Sequence, residues 1–219
     1  MPKAQKLPKP LSPSARDRIV EAATREFATR GFDGARMDAL ARRAGVNKAL
    51  LYYYFPNKQE LYRRLLLEHL EIMAETLSSA SDPASPPDQA LAQCLDAIHG
   101  LLEARPFAAQ FILREVLNGW GHLREEDFAV LFRTTRPIVG VVERGVADGT
   151  FRDVPPLSVH FLAVATLSFI FVSQEARARS ARAVGVPALA QSPGEFVSFL
   201  NEILRRGLAP GAVRGPELA

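Results

Sequence analysis

The segment from Arg36 to Lys58, RMDALARRAGVNKALLYYYFPNK, constrains this chain more than any other. Met37, Leu40, Ala41 and Ala44 recur at i, i+3, i+4 and i+7, the spacing of one buried face on a two-turn helix. Gly45 can adopt the left-handed conformation that closes such a helix, and Asn47 is suited to cap the next one. That second helix is predicted over Lys48 to Tyr54, with Leu51 and Tyr54 facing inward. Seven residues cannot hold a helix in water without neighbours, so the pair must sit against further helices. Two short helices about a Gly-containing turn are the geometry that enters the major groove of DNA, with the start of the second helix meeting base edges and phosphates.

The flanks supply the missing neighbours. Ser14 followed by Asp17 reads as a capping box with Asp in place of Glu or Gln, the stripe Ile19, Ala23, Phe27 predicts a helix, and Gly31 is expected to end it. Three helices are then available to enclose a helix-turn-helix core. Phe55 and Pro56 should break the second helix of the pair. Asn57 then caps a longer helix whose first turn carries Lys58, a cation beside free helix N–H groups, where phosphate is attracted.

Residues 14 to about 61 resemble the DNA-binding domain of the TetR family of bacterial transcription regulators. The likeness is carried by Phe27, Gly31, Phe32, Ala44-Gly45-Val46, Leu51-Tyr52, Tyr54-Phe55, Lys58 and Leu61, with the joint spacing Leu-Tyr-x-Tyr-Phe-x-x-Lys-x-x-Leu. Met37 and Asn47 stand where Thr and Ser are usual in the family. The first departure removes a hydroxyl that would contact phosphate. The reading therefore expects DNA contacts at Arg36, Asn47, Lys48, Ala49, Leu50, Tyr52, Tyr53 and Lys58.

Charge points the same way. Residues 1–60 carry 12 Lys and Arg against 6 Asp and Glu, while the whole chain of 219 residues has a net charge of only +3. Positive charge gathers where the helix-turn-helix is expected, as an electrostatic footprint for DNA requires. The opening MPKAQKLPKPLSP reads as a mobile basic arm, with no apolar signal segment. The longest apolar run, Leu157 to Val172, is too short and too interrupted by polar residues to cross a membrane, so no membrane partner is expected. A lone cysteine, Cys94, fits a reducing cytoplasm and, on the Leu91, Cys94, Leu95, Ile98 stripe, reads as a small core residue.

The remainder is predicted to be helical throughout, with no alternating strand pattern. Helices are expected over Asn57–Ser79, Asp88–Ala104, Pro106–Asn118, Glu125–Asp148 (kinked or divided at Pro137), Leu157–Arg182 and Pro193–Leu208. The fold class is thus all-α with about nine helices: an arm (1–13), a three-helix helix-turn-helix DNA-binding domain (14–60), a helical ligand-binding and dimerisation domain (61–210) and a tail (211–219). Because the helix from Leu157 is apolar all round, it must be covered all round, and a second copy packed on it and on the last helix is the expected cover.

The second domain also carries more aromatic surface than a DNA-binding unit needs. Phe107, Phe111, Arg114, Glu115, Asn118, Trp120, His122 and His160 are the candidates for a pocket holding a small, largely apolar effector. Arg114 and Glu115 could instead merely pair with neighbours. His69 and His99 read as ordinary helix residues, with Glu68, His69 and Glu71 on a charged, solvated face. An enzyme on a helical bundle is the competing class, but the four histidines lie far apart and there is no Gly-rich phosphate loop or nucleophile elbow, so no metal, cofactor or catalytic residue is expected. A protein-binding adaptor would leave the basic N-terminal third unexplained. The resemblance implies a cytoplasmic homodimer on a palindromic operator, with repression the more usual outcome in the family.

Overall fold

The computed structural model describes residues 14–211; the expected arm at 1–13 and all of the tail beyond Gly211 lie outside them. Among the described residues there are eleven α-helices and no strand. The chain begins with α1 (Ala15–Gly34), α2 (Met37–Arg43) and α3 (Lys48–Tyr54), followed by the long α4 (Lys58–Ala80). Then come α5 (Pro87–Ala104), α6 (Pro106–Leu117), the short α7 (Phe128–Arg133) and α8 (Arg136–Ala147). The last three are α9 (Pro156–Val172), α10 (Gln174–Val184) and α11 (Pro193–Leu208).

Local chemistry fixes the first elements. Ser14 and Asp17 close a reciprocal capping box at the start of α1. Gly31 (φ 71°) breaks that helix, as its freedom at positive φ allows, but one further turn runs on to Gly34. Gly45 (φ 63°) follows α2 in the left-handed region, and the side chain of Asn47 accepts a 2.7 Å bond from the Leu50 N–H to start α3. Asn57 does the same for α4, accepting from the Glu60 N–H at 2.8 Å.

Two divisions raise the helix number above the nine expected. Glu125–Asp148 splits at Thr134 and Thr135, whose hydroxyls donate to the Leu131 and Phe132 carbonyls, and Pro137 then sits in the first turn of α8. Leu157–Arg182 is not one helix either. It breaks at Ser173 into α9 and α10, whose axes differ by 58°. No Pro or Gly marks that break. Arg177 holds it from a distance, donating to the Ser173 hydroxyl and to the carbonyls of Ile170, Leu189 and Gln191.

The interior has two parts. The first gathers Ile19, Phe27, Leu40, Leu51, Phe55, Leu61, Tyr62, Leu65 and Leu66 around the helix-turn-helix, and Phe111 of α6 joins it. Phe27, Tyr62 and Phe111 meet there as stacked and edge-on rings 4.7–6.0 Å apart. The second joins α5, α8, α9 and α11 through Leu95, Ile98, Ile138, Val142, Ala163 and Leu200. Cys94 is fully buried in it, where desolvation pushes its thiol up to about 11, as a small core side chain rather than a reactive one. α4 spans both interiors, so the 60/61 boundary drawn from sequence falls inside its first turn.

Candidate functional site

α3 is held from one side and open on the others. Leu51 is its only fully buried residue, and Leu50 and Tyr54 are half-buried. Tyr53 is 79% exposed, and Asn47, Lys48, Ala49 and Tyr52 face outward with it. Lys48 is not a loose charge: its Nζ lies 2.7 Å from Asp38 Oδ1 on α2. The hydrogen bond and charge of Asp38 raise the Lys48 pKa, and Lys48 in turn lowers that of Asp38. Lys58 is similarly positioned, with Nζ 3.3 Å from the Asp33 carbonyl and 4.5 Å over the Phe32 ring at the start of α4. Arg36 is exposed at the start of α2. The eight residues expected at the DNA surface lie on α3, at the N-caps of α2 (Arg36) and α3 (Asn47), and at the start of α4, seven of them within the Arg36–Tyr53 stretch.

The eight expected pocket residues separate. A cavity of about 630 Å³ lies between α4, α5, α6, α7 and α9, and Trp120 and His160 are on its wall. Phe107, Phe111, Arg114, Glu115, Asn118 and His122 are not. They lie toward the opposite face of α6 and the turn after it, where α6 packs on α1. Arg25 sits over the Phe107 ring at 4.9 Å, and Phe111 is fully buried in the first core. Arg114 Nε donates to the Ala28 carbonyl at 2.6 Å. The buried Glu115 carboxylate accepts from the Tyr62 hydroxyl at 3.1 Å and from the His122 N–H at 2.8 Å, while Asn118 meets His122 at 3.2 Å. Burial and the nearby Glu115 charge drive the Tyr62 phenol well above its ordinary range, so it stays a donor. Arg114 and Glu115 thus pair with neighbours, the alternative weighed from the sequence, and with Tyr62, Asn118 and His122 they form a polar joint between α1, α4 and α6.

Helix phase explains the division. Ala108, Ile112 and Val116 recur at i, i+4 and i+8 on the cavity side of α6, and Phe111 and Glu115 recur on the other. The sequence shows both stripes but not which one a cavity adjoins.

His69 corrects the expectation of a solvated face. It is 7% exposed, forms part of the cavity wall and bonds through Nε2 to the Thr24 hydroxyl of α1 at 3.1 Å. Thr24 gives its own proton to the Val20 carbonyl, so Nε2 is the His69 donor and Nδ1, sealed and unpartnered, is bare. Burial, with a smaller push from the Arg105 charge, lowers the His69 pKa to about 4. A signal for this was present: His69 follows Leu65 by four residues and Leu66 by three, on the apolar stripe of α4. Burial also lowers the His160 pKa. The other polar wall residues that sequence reasoning missed are Arg105, Thr134, Thr135 and Ser168.

Between them, an exposed helix-turn-helix and a largely apolar cavity in the following helices match known proteins at both ends. The profile for bacterial regulatory proteins of the tetR family matches residues 19–65, and that for a tetracyclin repressor-like C-terminal domain matches residues 87–186. The chain belongs to the TetR family. It is 26% identical over 195 residues to the HTH-type transcriptional repressor NicS of Pseudomonas putida, an alignment covering 88% of this chain and 92% of that one. Its fold is similar to that of the TetR-family regulator PfmR from Thermus thermophilus, with a TM-score of 0.70 at 22% identity over 91% of this chain and all of the other. AibR, solved with isovaleryl coenzyme A and operator DNA, matches with a TM-score of 0.67 at 18% identity, covering 87% and 97% of the two chains. This TetR-family protein is a DNA-binding transcriptional regulator with a ligand-binding C-terminal domain, not an enzyme. Among the described residues no single helix is long and apolar enough to cross a membrane, and no three metal-binding side chains converge.

Proposed function

We propose that this TetR-family regulator acts as a cytoplasmic homodimer that binds a palindromic operator and releases it when a small, largely apolar effector enters the cavity. In this reading, residues 14–60 form the DNA-binding unit, with Arg36, Asn47, Lys48, Ala49, Leu50, Tyr52, Tyr53 and Lys58 at the duplex. Residues 61–210 form the effector and dimerisation unit. Trp120 and His160 remain effector contacts, while Phe107, Phe111, Arg114, Glu115, Asn118 and His122 act one layer behind the cavity as the link to α1. Repression is the direction favoured by the likeness to NicS.

The observation that carries the reading is that α4 and α6 each serve both regions. α4 places Leu61, Leu65 and Leu66 in the helix-turn-helix core and His69, Leu70 and Met73 on the cavity wall. α6 lines the cavity with one stripe and grips α1 with the other, a packing more extensive than that of α1 with α2 or α4. A molecule that spreads the cavity therefore displaces supports of α3. Only an effector with unequal affinity for the two arrangements can do this, and the operator must weaken effector binding by the same factor. Dimerisation is supported by the exposed apolar side chains Leu162 and Phe169 on α9 and Phe199 and Ile203 on α11, with Leu157 and Phe161 of the cavity wall exposed beside them.

Selecting bound fragments from random duplex DNA, followed by anisotropy titration of the recovered site, tests this directly. The expected result is an inverted repeat whose affinity falls steeply with salt, by about 0.9 in log–log slope for each phosphate neutralised. Absence of salt-sensitive binding to any duplex by the ligand-free protein overturns the proposal.

A further inference from the structure

The cavity wall carries an unbalanced set of polar groups. No Asp or Glu lines it. Arg105, in the link between α5 and α6, stands at its edge, is exposed, and has no ion pair among the described residues. The indole N–H of Trp120 also has no acceptor among the described residues, and Trp120 is held in the wall at a positive φ of 61°, a conformation that costs a non-glycine residue energy. Its backbone N–H bonds to the Glu115 carbonyl at 3.0 Å, which ties that conformation to the end of α6.

His160 adds a third group of the same kind. Its Nδ1 is sealed without a partner. A proton there would be a buried donor with nothing to receive it, a costlier orphan than a bare lone pair, so the neutral ring carries its proton on Nε2. Nε2 is not among the sealed atoms, and the ring forms part of the wall, which leaves this N–H opening onto the cavity. By contrast, Thr134 and Thr135 turn their hydroxyl protons to their own helix carbonyls. The cavity thus offers a cation at the rim and, on a mostly apolar wall, the N–H donors of His160 and Trp120 with the Ser168 hydroxyl and the bare Nδ1 of His69 beside them, and no anion to satisfy the donors.

We infer that the effector is an apolar carboxylate or its thioester: an acyl chain seated against the apolar wall with its anionic end at Arg105 and, in a thioester, where the acyl oxygen is separate from that end, the acyl oxygen accepting from His160 and Trp120. This rests on the cavity being the effector site, and adds the chemical class of what enters. The shared chemistry is an acyl chain with an anionic head; a free acid places its carboxylate at Arg105, and a coenzyme A thioester its phosphates.

The chain contains one tryptophan, Trp120, so its emission reports occupancy without DNA. The full chain is titrated with octanoate, dodecanoate, dodecanoyl coenzyme A and 1-dodecanol, with calorimetry as a second readout. One of the acyl anions should bind about tenfold or more tighter than the alcohol, the range of a charge-assisted hydrogen bond. Arg105→Ala and Arg105→Gln should each remove most of that advantage while changing 1-dodecanol by less than about twofold, and His160→Phe should weaken dodecanoyl coenzyme A several-fold. Preference for the thioester alone supports the inference and identifies that source; preference for the free acids identifies the other. The inference is overturned if the alcohol binds as tightly, if neither Arg105 variant alters the preference, or if none of the four binds. Operator release is read separately with labelled DNA. Tight acyl binding without release defeats the proposed coupling but not the ligand class; release by 1-dodecanol alone does the reverse.

Discussion

α3 and α9 are both unable to stand alone, for opposite reasons. α3 has seven residues, buries Leu51 and leaves most of the rest in water. It lacks the length to pay for its own nucleation and exists because α1, α2 and α4 brace it. α9 has seventeen residues and the length to be a helix, but it is apolar on every side and needs cover on every side. One side lies in the second core, a second walls the cavity and a third is bare. The helix proposed to meet DNA is thus defined by the packing behind it, and the helix beside the cavity by the cover it still lacks. A regulator needs both kinds: a rigid surface that reads, and an incompletely satisfied one that responds.

The sharpest way to break this contrast is Leu51→Ala. If the single buried side chain of α3 is its anchor, the loss should be about 2–5 kcal/mol in urea unfolding, with operator binding lost too. A cost below about 1 kcal/mol would show that α3 is held by its caps instead. Next comes the bare side of α9. Phe161→Glu with Phe169→Glu should raise the dimer dissociation constant by at least about a hundredfold, read by sedimentation, while the monomer stays helical. An unchanged dimer would place its interface elsewhere.

A pH titration tests the joint between the two regions. The His69 pKa is lowered from 6.5 unfolded to about 4 folded, so the unfolded chain binds the proton first on acidification. The stability from keeping His69 neutral is complete above about pH 6.5 and declines as pH falls toward 4, reaching a loss of about 2 kcal/mol by pH 5. His160, also lowered, acts with the same sign. His69→Gln should therefore flatten the pH dependence of the melting temperature in this window without abolishing it, and an identical slope would remove His69 from that role. The smallest effect is expected at the DNA surface. Asp38→Asn frees Lys48 from its partner and should steepen the salt dependence of operator binding by up to about 0.9 in slope. No change would mean that Lys48 stays where Asp38 put it.

The two regions also differed in how far the sequence disclosed them. The helix-turn-helix is written in one continuous stretch: its caps at Ser14, Asn47 and Asn57, the positive φ of Gly45 and the inward Leu51 all depend on neighbours a few residues away. The all-α class followed from periodicity in the same way. The cavity is assembled from residues between His69 and Ser168 on separate helices, and no local pattern states which stripe of α6 will face it. Hence, of the candidates named from the sequence, Trp120 and His160 lie on the cavity wall, Arg105 lies there without having been named, and Arg114 and Glu115 lie on the other side of α6. The break between α9 and α10 was invisible for the same reason, since the Arg177 contacts that hold it include the distant carbonyls of Leu189 and Gln191.

Phe161 has a consequence for how this protein is handled. It belongs to the cavity wall and yet is 61% exposed. If the proposed second copy rests on Phe161, it also presses on the cavity, so two solutions of the same chain at different dilution need not offer a guest the same space. In the proposed dimer, affinity for an effector would then be a function of protein concentration, and a titration curve and a sedimentation profile would be two views of one equilibrium.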